Sequence, residues 1–293
     1  MKYLTIHLMG GLGNQLFQIF SVLVYAIKND YTPVFEYSTE LKSGIQRPTY
    51  WDTFLKDFDK FTTRNTEYAP VIPYLKKFIV YNETGFHYSE IPTMKHISYL
   101  KLFGYFQSYK YFHDKRDTLF EMMNLKQLKE EVLQENKGLL ADFYNISMHF
   151  RYTDYRKKPD FHPLMPLTYY VQALNHLNCI LKDNNKKIQI IYFRENAEND
   201  FVENIIDQLK LIFPQIIFTK ADDKITDWKQ MLLMSLCDSN IMANSSFSWW
   251  GAYFNQNVNK IVCYPKKWFG KRLTHYNTKD MCLDDWHSID FSL

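Results

Sequence analysis

The feature that most constrains the fold is an alternation of short apolar strands and amphipathic helices through the second half of the chain. Strands are predicted where β-branched and aromatic residues cluster, and helices where apolar residues recur every three or four positions. The expected strands span residues 145–150, 188–193, 216–218, 239–242 and 260–264. The expected helices span residues 168–181, 199–213, 227–236 and 247–254, with Thr168 as a predicted cap. Such alternation is typical of a parallel sheet wrapped by helices, so the sequence predicts the α/β class.

A strand–turn–helix unit also opens the chain. Residues 3–8 form a predicted strand that ends at the glycine-rich turn Gly10–Gly13, and a helix with a broad apolar face follows. Asn14 is the predicted cap of this helix, because its short amide side chain can accept a hydrogen bond from a free backbone N–H. A further strand is expected over residues 97–103 and a charged amphipathic helix over residues 125–140.

Interruptions in this pattern predict two domains. Residues 33–92 are aromatic and weakly periodic, which indicates loops and short helices. The pattern breaks again near residues 138–144. The predicted domains are therefore an N-terminal α/β domain, 1–140, and a C-terminal α/β domain, 141–293, with an aromatic C-terminal tail packing across.

Composition narrows the range of partners. The net charge is only +3 and no dense Lys/Arg run occurs, which argues against a nucleic-acid binder and leaves room for a small anionic ligand. Aromatic residues make up 17% of the chain, and their rings suit the faces of sugars or bases, although most are expected in the core. No apolar run approaches the ~20 residues of a transmembrane helix. The four widely spaced cysteines indicate reduced thiols, so the expected location is cytoplasmic, with any membrane contact peripheral at the inner face.

The most distinctive polar segment is Ala243–Ala252, which joins a predicted strand to a helix. It places Asn244 and the hydroxyls of Ser245 and Ser246 ahead of two tryptophans. Ligands bind at the carboxyl ends of strands in open α/β sheets, and a helix start offers backbone N–H groups that suit a phosphate. The alternative interpretation is a polar turn followed by an aromatic anchor.

A second candidate segment, His149–Asp154, follows another predicted strand. His149 and Arg151 point to the same side of an extended chain. Arginine suits a phosphate because its fork donates paired charge-assisted hydrogen bonds, whereas His149 and Asp154 are residue types that handle protons. The alternative is a solvated strand end in which Arg151 and Asp154 form a salt bridge.

The remaining motifs are weaker signals. Gly10–Gly13 is neither a P-loop nor a full G-x-G-x-x-G motif, and a tight turn between strand and helix is the simpler interpretation. Asp57 and Asp59 form a D-x-D pattern that could hold a divalent metal, but the pattern does not follow an apolar strand. No cluster has metal-ligand spacing, so neither a metal nor a resident cofactor is expected.

Together these segments make the chain resemble the inverting α-1,2-fucosyltransferases, which use GDP-L-fucose. The resemblance rests on five motifs in order along most of the chain: Gly10–Gln18, Gly104–Phe112, His149–Tyr155, Met234–Ala252 and Pro265–Phe269. It implies the GT-B architecture, in which two facing Rossmann-like α/β domains hold the donor in the cleft between them. It also implies a reaction that needs no metal.

The resemblance further implies roles for individual residues. Arg151 is expected at the β-phosphate of GDP, and the glycine turn is expected to approach the phosphates from the other domain. The full expected donor-binding set is Gly11, Gly13, Asn14, Arg151, Arg194, Asn244, Ser245, Ser246 and Phe247. The expected reaction is a single displacement with inversion, in which a galactose hydroxyl attacks and GDP leaves. Asp154 is the first candidate for the general base and His149 the second, with Arg151 stabilising the leaving group.

Two departures from the family pattern concern the donor. Tyr152 and Thr153 stand where the family commonly has a second arginine and a glycine, and Phe193–Asn196 replaces a strand end that is often Ser-Asp-Asp. Arg194 is therefore hypothesised to restore the missing positive charge.

The expected function is transfer of L-fucose to the 2-hydroxyl of a galactose-terminated oligosaccharide or lipid-linked glycan, as in O-antigen or capsule synthesis. Three alternatives remain open at this point. They are a related transferase with another nucleotide sugar, a catalytically silent carbohydrate-binding protein, and a metal-dependent transferase that uses Asp57 and Asp59.

Overall fold

The structure, a computed structural model, forms two compact units. It describes residues 1–42, 45–182 and 184–291. The first unit comprises Met1–Gln127 and Tyr276–Leu283, and the second comprises Leu128–His275 with the residues from Asp284 onward. These bounds differ from the predicted segments 1–140 and 141–293: the division falls after Gln127, and the chain returns to the first unit for Tyr276–Leu283.

The first unit is built on a four-stranded parallel sheet. Its strands are β1 (Tyr3–Ile6), β2 (Thr32–Pro33), β5 (Ile79–Asn82) and β6 (Tyr99–Phe103), in the order β2-β1-β6-β5. Two short strands, β3 (Glu40–Leu41) and β4 (Arg47–Pro48), pair separately as an antiparallel hairpin. The α-helices are α1 (Leu12–Asn29), α2 (Arg116–Met122) and α3 (Leu125–Glu135), the last of which runs into the second unit. Short 3₁₀ helices span Lys56–Phe61, Thr66–Tyr68, Ile72–Lys77, Tyr109–Tyr111 and His113–Lys115.

Helix α1 starts directly after the glycine turn. Gly10 has a φ of 78°, a left-handed conformation that favours glycine, and Gly11 occupies the N-cap position. No side chain caps the helix, so the prediction that Asn14 is its cap is wrong; Asn14 lies inside the first turn. Most of α1 is buried, in keeping with its broad apolar face.

The second unit is a larger α/β layer. Its strands are β7 (Tyr144–His149), β8 (Ile188–Phe193), β9 (Ile217–Lys220), β10 (Ser239–Ile241), β11 (Val262–Pro265) and β12 (His287–Ile289). Its further α-helices are α4 (Lys137–Leu140), α5 (Leu167–Ile180), α6 (Asn199–Ile212), α7 (Asp227–Ser235) and α8 (Ser246–Tyr253). Short 3₁₀ helices span Tyr155–Lys157, Asn196–Glu198 and Lys271–Leu273. All pairs of neighbouring strands are parallel, in the order β12-β11-β10-β7-β8-β9.

This strand order contains a reversal. The chain moves from β7 through β8 to β9 on one side, and then crosses back to build β10, β11 and β12 on the other side. The reversal lies between β7 and β10, whose residues Met148 and Ile241 are paired. In open α/β sheets, ligands bind outside the carboxyl ends of the strands at such a reversal. The order β2-β1-β6-β5 places a corresponding reversal between β1 and β6 in the first unit.

The alternation predicted for residues 144–264 is confirmed, and most helix and strand ends lie one or two positions from the predicted ones. Helix α5 begins at Leu167 with Pro166 in the cap position, so Thr168 is not its cap. The predicted helix 125–140 is divided between α3 and α4. At the division, the Asn136 side chain donates to the carbonyl of Val132 at 2.9 Å, and such a local bond competes with regular helix. Strand β12 was not predicted, since three residues carry too little pattern.

The core of the second unit lies between the sheet and its helices. Ile146 and Met148 of β7 are buried together with Leu174 of α5 and Val202 of α6, as expected for a parallel sheet covered on both faces. In α8 the rings of Trp249 and Tyr253 are stacked with their centroids 4.8 Å apart, so the predicted aromatic anchor is present. None of the helices within the described ranges has the length and hydrophobicity needed to cross a bilayer.

We predict that Gly270→Ala lowers the free energy of unfolding by about 1–3 kcal/mol, the usual cost of overpacking. A Cβ at Gly270 would lie 2.3 Å from the backbone oxygen of Asp160, while the Gly270 N–H donates to Phe161 at 2.8 Å. Gly138→Ala is the matched control, since a Cβ there meets nothing within 4 Å and alanine favours helix α4. Urea unfolding of both variants checks the prediction. Equal stability of the two would contradict the close packing at Gly270.

Candidate functional site

The carboxyl end of β7 carries the first group of predicted site residues. His149 is 6% exposed, and the centroid of its imidazole lies 5.6 Å from that of the Phe247 ring. Burial, together with the positive charge of Arg151, lowers the pKa of His149 to about 3. The imidazole is therefore neutral near pH 7 and accepts a proton poorly, which counts against His149 as the general base.

Arg151 lies between two carboxylates. Its Nη2 donates to Asp154 Oδ2 at 2.8 Å, and its Nη1 forms an ion pair with Glu195. Burial alone would lower the pKa of Arg151, but Glu195 and Asp154 outweigh it and raise the pKa above its usual value. The salt bridge between Arg151 and Asp154 that the sequence offered as the alternative interpretation is thus present, with Glu195 as an additional partner.

Glu198 organises the turn after β7 and was missed in the sequence. Its Oε1 accepts hydrogen bonds from the backbone N–H groups of Tyr152 and Thr153, both at 2.6 Å, and from the Thr153 hydroxyl at 2.7 Å. Its Oε2 accepts from the Glu195 N–H at 3.1 Å. Glu198 is buried and lies more than forty positions further along the chain than the turn that it holds, so local pattern gave no signal of this role.

The turn after β10 is stabilised by hydrogen bonds from its own side chains. Asn244 is buried, and its Nδ2 donates to the carbonyls of Pro163 at 2.9 Å and Trp268 at 3.1 Å. Ser245 is the N-cap of α8, where its hydroxyl accepts from the Phe247 N–H at 3.3 Å. Asn244 and Ser245 therefore shape this turn, while Ser246 and Phe247 in the first turn of α8 are only partly buried.

Tyr155 connects the two segments. Its hydroxyl donates to the carbonyl of Asn244 at 2.9 Å, and its ring centroid lies 5.8 Å from the guanidinium carbon of Arg151. Burial raises the pKa of Tyr155, so the phenol keeps its proton near neutral pH. Tyr155 thereby bridges Arg151 and the turn that precedes α8 at the reversal of the sheet.

Arg194 does not join this group. Its Nη1 lies 2.8 Å from Asp223 Oδ1, its Nη2 donates to Asp223 Oδ2 at 3.1 Å, and its side chain is only 1% exposed. The guanidinium is thus engaged in a structural ion pair with the loop after β9. This geometry does not support the hypothesis that Arg194 supplies the charge lost at Tyr152; instead, Glu195 from the same departure reaches Arg151.

The glycine turn and Asn14 lie in the first unit. The Asn14 Oδ1 accepts from Gln107 Nε2 at 2.6 Å, and the buried Gln18 donates to the carbonyl of Gly104 at 2.9 Å. These bonds join the two motifs that begin at Gly10 and Gly104 at the reversal between β1 and β6. Gly11 leaves open space around its Cα, whereas Gly13 is buried in the first turn of α1.

Asp59 of the D-x-D pattern has structural partners. Asp59 forms an ion pair with Arg64 at 2.9 Å and accepts from the Thr62 hydroxyl at 3.0 Å, and both Asp57 and Asp59 lie on the 3₁₀ helix Lys56–Phe61. Within the described ranges, no three His, Cys, Asp or Glu side chains group together in a way that could hold a metal ion.

The second unit has the strand order and the helix start at the reversal that define the Rossmann class of nucleotide-binding folds. Residues 2–290 match the model of glycosyl transferase family 11, and the chain belongs to that family. The resemblance found in the sequence is therefore confirmed at the level of the family.

Two glycosyltransferases of Escherichia coli are among the known proteins similar to this chain. The O-antigen biosynthesis glycosyltransferase WbnK of Escherichia coli is 29% identical over 201 residues, 64% of this chain and 60% of that protein. The alpha-1,2-colitosyltransferase of Escherichia coli is 24% identical over 194 residues, 65% of this chain and 63% of that protein. The chain thus matches less than two thirds of the length of these relatives.

The third similarity concerns the fold alone. The crystal structure of POFUT1 in complex with GDP superposes with a TM-score of 0.51 at 12% identity, covering 90% of this chain and 98% of that one. With the two parallel sheets, this confirms the predicted α/β class of GT-B type.

We predict that Glu198→Ala lowers the free energy of unfolding by about 2–4 kcal/mol, because it leaves the buried N–H of Tyr152 and the part-buried donors of Thr153 without an acceptor. Asp200→Asn, an exposed change at the start of α6, is the control and should cost no more than about 1 kcal/mol. Chemical denaturation measures both. A Glu198→Ala protein as stable as the control would show that the turn does not depend on this carboxylate.

The ion pair of Arg194 generates a separate prediction. Asp223→Asn should lower the free energy of unfolding by about 1–3 kcal/mol and leave the Kd for GDP unchanged, because the guanidinium stays in its structural position. Asp222→Asn on the same loop is the control. Isothermal titration with GDP decides the question: tighter binding by Asp223→Asn would mean that the released Arg194 reaches a phosphate, as first hypothesised.

Proposed function

We propose that this protein transfers L-fucose from GDP-L-fucose to the 2-hydroxyl of a galactoside, with inversion at the anomeric carbon. One observation carries the proposal: Tyr155 contacts both Arg151 and the carbonyl of Asn244, which directly precedes the N-cap of α8, at the sheet reversal between β7 and β10. Family membership supports the class of reaction. The sequence motifs and the names of the relatives support the linkage and the acceptor.

The charge of the leaving group explains the arrangement. When the bond between the sugar and the β-phosphate breaks, negative charge develops on GDP. Arg151 can donate from a planar fork, and the N-terminal end of α8 carries the positive end of the helix dipole. These two sources of positive potential suit a pyrophosphate without requiring a metal.

The carboxylates on Arg151 set its orientation. With Asp154 on one nitrogen and Glu195 on another, the guanidinium cannot rotate freely, and its remaining donors are directed by those two bonds. Neutral His149 adds no like charge beside Arg151, and the partly exposed ring of Phe247 offers an apolar face next to it. We assign this surface to the donor nucleotide sugar.

The acceptor class follows from the relatives. WbnK bears the name of an O-antigen glycosyltransferase, which supports a glycan acceptor of that kind, including one on a lipid carrier. A lipid-linked acceptor would bring the enzyme to the cytoplasmic face of a membrane as a peripheral protein.

A second candidate function has its own support. One relative is named an alpha-1,2-colitosyltransferase, so a protein similar to this chain is named for a donor sugar other than fucose. The departure at Glu195 lies on Arg151 and suits a changed donor, whereas the Tyr152 side chain is buried in the core. A comparison of fucose and colitose donors under equal conditions separates the two functions by kcat/KM.

We predict that Arg151→Ala raises the Kd for GDP by about 10- to 100-fold and removes nearly all turnover, since a charged hydrogen bond is worth about 1.5–3 kcal/mol. Arg151→Lys should recover part of the binding through its charge but little turnover, because lysine lacks the fork. Arg156→Ala, on the exposed 3₁₀ helix that follows, is the control. Near-normal kcat/KM in Arg151→Ala would refute the assignment.

The activity is tested by GDP release from GDP-L-fucose in EDTA, with lactose and other β-galactosides as acceptors. Release that depends on the acceptor is expected and would also show that no metal is required. Restoration of activity only by a divalent cation would favour the alternative that uses Asp57 and Asp59. Intact GDP binding without release from either donor would favour a carbohydrate-binding protein.

A further inference from the structure

Two loops of the second unit carry a group of exposed basic residues. The β7 loop (residues 150–166) contributes Lys157 and Lys158, and the β11 loop (residues 266–275) contributes Lys271 and Arg272. We call these four residues the basic surface. The neighbouring Arg156 is not part of it, because its guanidinium carbon lies 5.7 Å from the ring centroid of Phe201 on α6.

The two loops are joined by backbone hydrogen bonds. The N–H of Arg272 donates to the carbonyl of Asp160 at 2.9 Å, and the N–H of Gly270 donates to the carbonyl of Phe161 at 2.8 Å. The N–H of Phe161 donates in turn to the carbonyl of Lys158 at 3.0 Å. The guanidinium carbon of Arg272 lies 5.5 Å from the centroid of the Phe161 ring. The basic residues of both loops are therefore held near one another.

The positive charge of the basic surface is not compensated by ion pairs. Within the described residues, none of its four side chains pairs with a carboxylate. Lys266, at the start of the β11 loop, differs because it pairs with Asp290 at 2.7 Å. Asp160 is the only acidic residue among residues 155–163 and 266–275. A surface with such an excess of positive charge attracts anions.

The basic surface is linked to the candidate donor site. The ring of His162 on the β7 loop stacks on Tyr155 with the centroids 4.6 Å apart, and Tyr155 contacts Arg151. The Asn244 side chain donates to one carbonyl of each loop. A partner that binds the basic surface is thereby brought to the same edge of the sheet as the donor surface.

The chemistry of the basic surface suits an extended anionic partner. A small anion is bound by a few fixed donors in a concave site, and Arg151 with the start of α8 already offers such donors to the pyrophosphate. Three of the four basic residues are lysines, which act as flexible point charges without the fork of arginine. Each such residue near an anionic membrane surface strengthens binding by about five-fold. A lipid-linked acceptor would lie at a surface of this kind.

We propose that the basic surface docks the enzyme on a bilayer with anionic headgroups, next to the lipid-linked acceptor. The lipid phosphates are bound by Lys157, Lys158, Lys271 and Arg272. The proposal rests on the proposed function for the nature of the acceptor, whereas binding to the bilayer does not depend on sugar transfer.

Sedimentation with sucrose-loaded vesicles tests the proposal. We expect the protein to bind vesicles of mixed phosphatidylcholine and phosphatidylglycerol, and not vesicles of phosphatidylcholine alone. Binding should weaken as the salt concentration rises, because counterions screen exposed charges. The double variant Lys157→Ala/Lys158→Ala should bind the mixed vesicles about 10- to 30-fold more weakly, with its Tm and its Kd for GDP unchanged.

The double variant Lys186→Ala/Lys187→Ala is the matched control. It removes the same charge from the same unit, but these two exposed lysines directly precede β8, at the opposite end of the strand from the donor surface. Its binding to the mixed vesicles should match that of the unmodified protein. Equal weakening by both double variants would mean that net charge alone governs binding, and would overturn the proposal.

The outcomes are distinguishable from a failure of the proposed function. If the enzyme transfers fucose to lactose but does not bind the mixed vesicles, the docking surface is refuted and the function stands. A raised Kd for GDP in Lys157→Ala/Lys158→Ala would assign these lysines to the donor site and overturn the proposal. Retention of duplex DNA without binding to the mixed vesicles would also overturn it. If the mixed vesicles bind through the basic surface but no donor sugar is transferred, docking is supported and the proposed function alone fails.

Discussion

A buried carboxylate fixes the turn on which the candidate donor site depends. Glu198 accepts hydrogen bonds from Tyr152, Thr153 and Glu195, and thereby joins the ends of β7 and β8. Without such an acceptor, the backbone donors after β7 would be buried and unsatisfied, which is costly. The same contact brings Glu195 to Arg151, so one side chain determines both the path of the turn and the partners of the arginine.

The charged side chains of Arg151, Arg194 and Glu83 have different kinds of partner in the two units. In the second unit, Arg151 and Arg194 are each matched by carboxylates, which allows arginine to be buried without an unpaired charge. In the first unit, Glu83 has backbone N–H groups as partners and its pKa is raised. A site that stabilises a leaving anion benefits from an arginine held in one orientation.

The periodic part of the fold was predictable, and the irregular part was not. Strands β7, β8 and β10 and helices α6 to α8 were found near their predicted positions, because burial on both faces of a parallel sheet leaves continuous apolar runs. The caps at Asn14 and Thr168 were wrong, since glycine and proline set those helix starts instead. The short strand β12 carries no pattern of its own and forms only because β11 offers a free edge.

The sequence by itself determined the α/β class, the family and the residues of the motif around Arg151, because these depend on local pattern and on motif order along the chain. Tertiary structure decided how those residues are used. It paired Arg194 with Asp223, placed Glu195 on Arg151, and brought Glu198 and Glu83 to backbone groups far from them in sequence. The physical reason is that hydrogen bonds and packing join residues that are distant in sequence. Residue spacing along the chain indicates only which side chains are neighbours within one strand or helix.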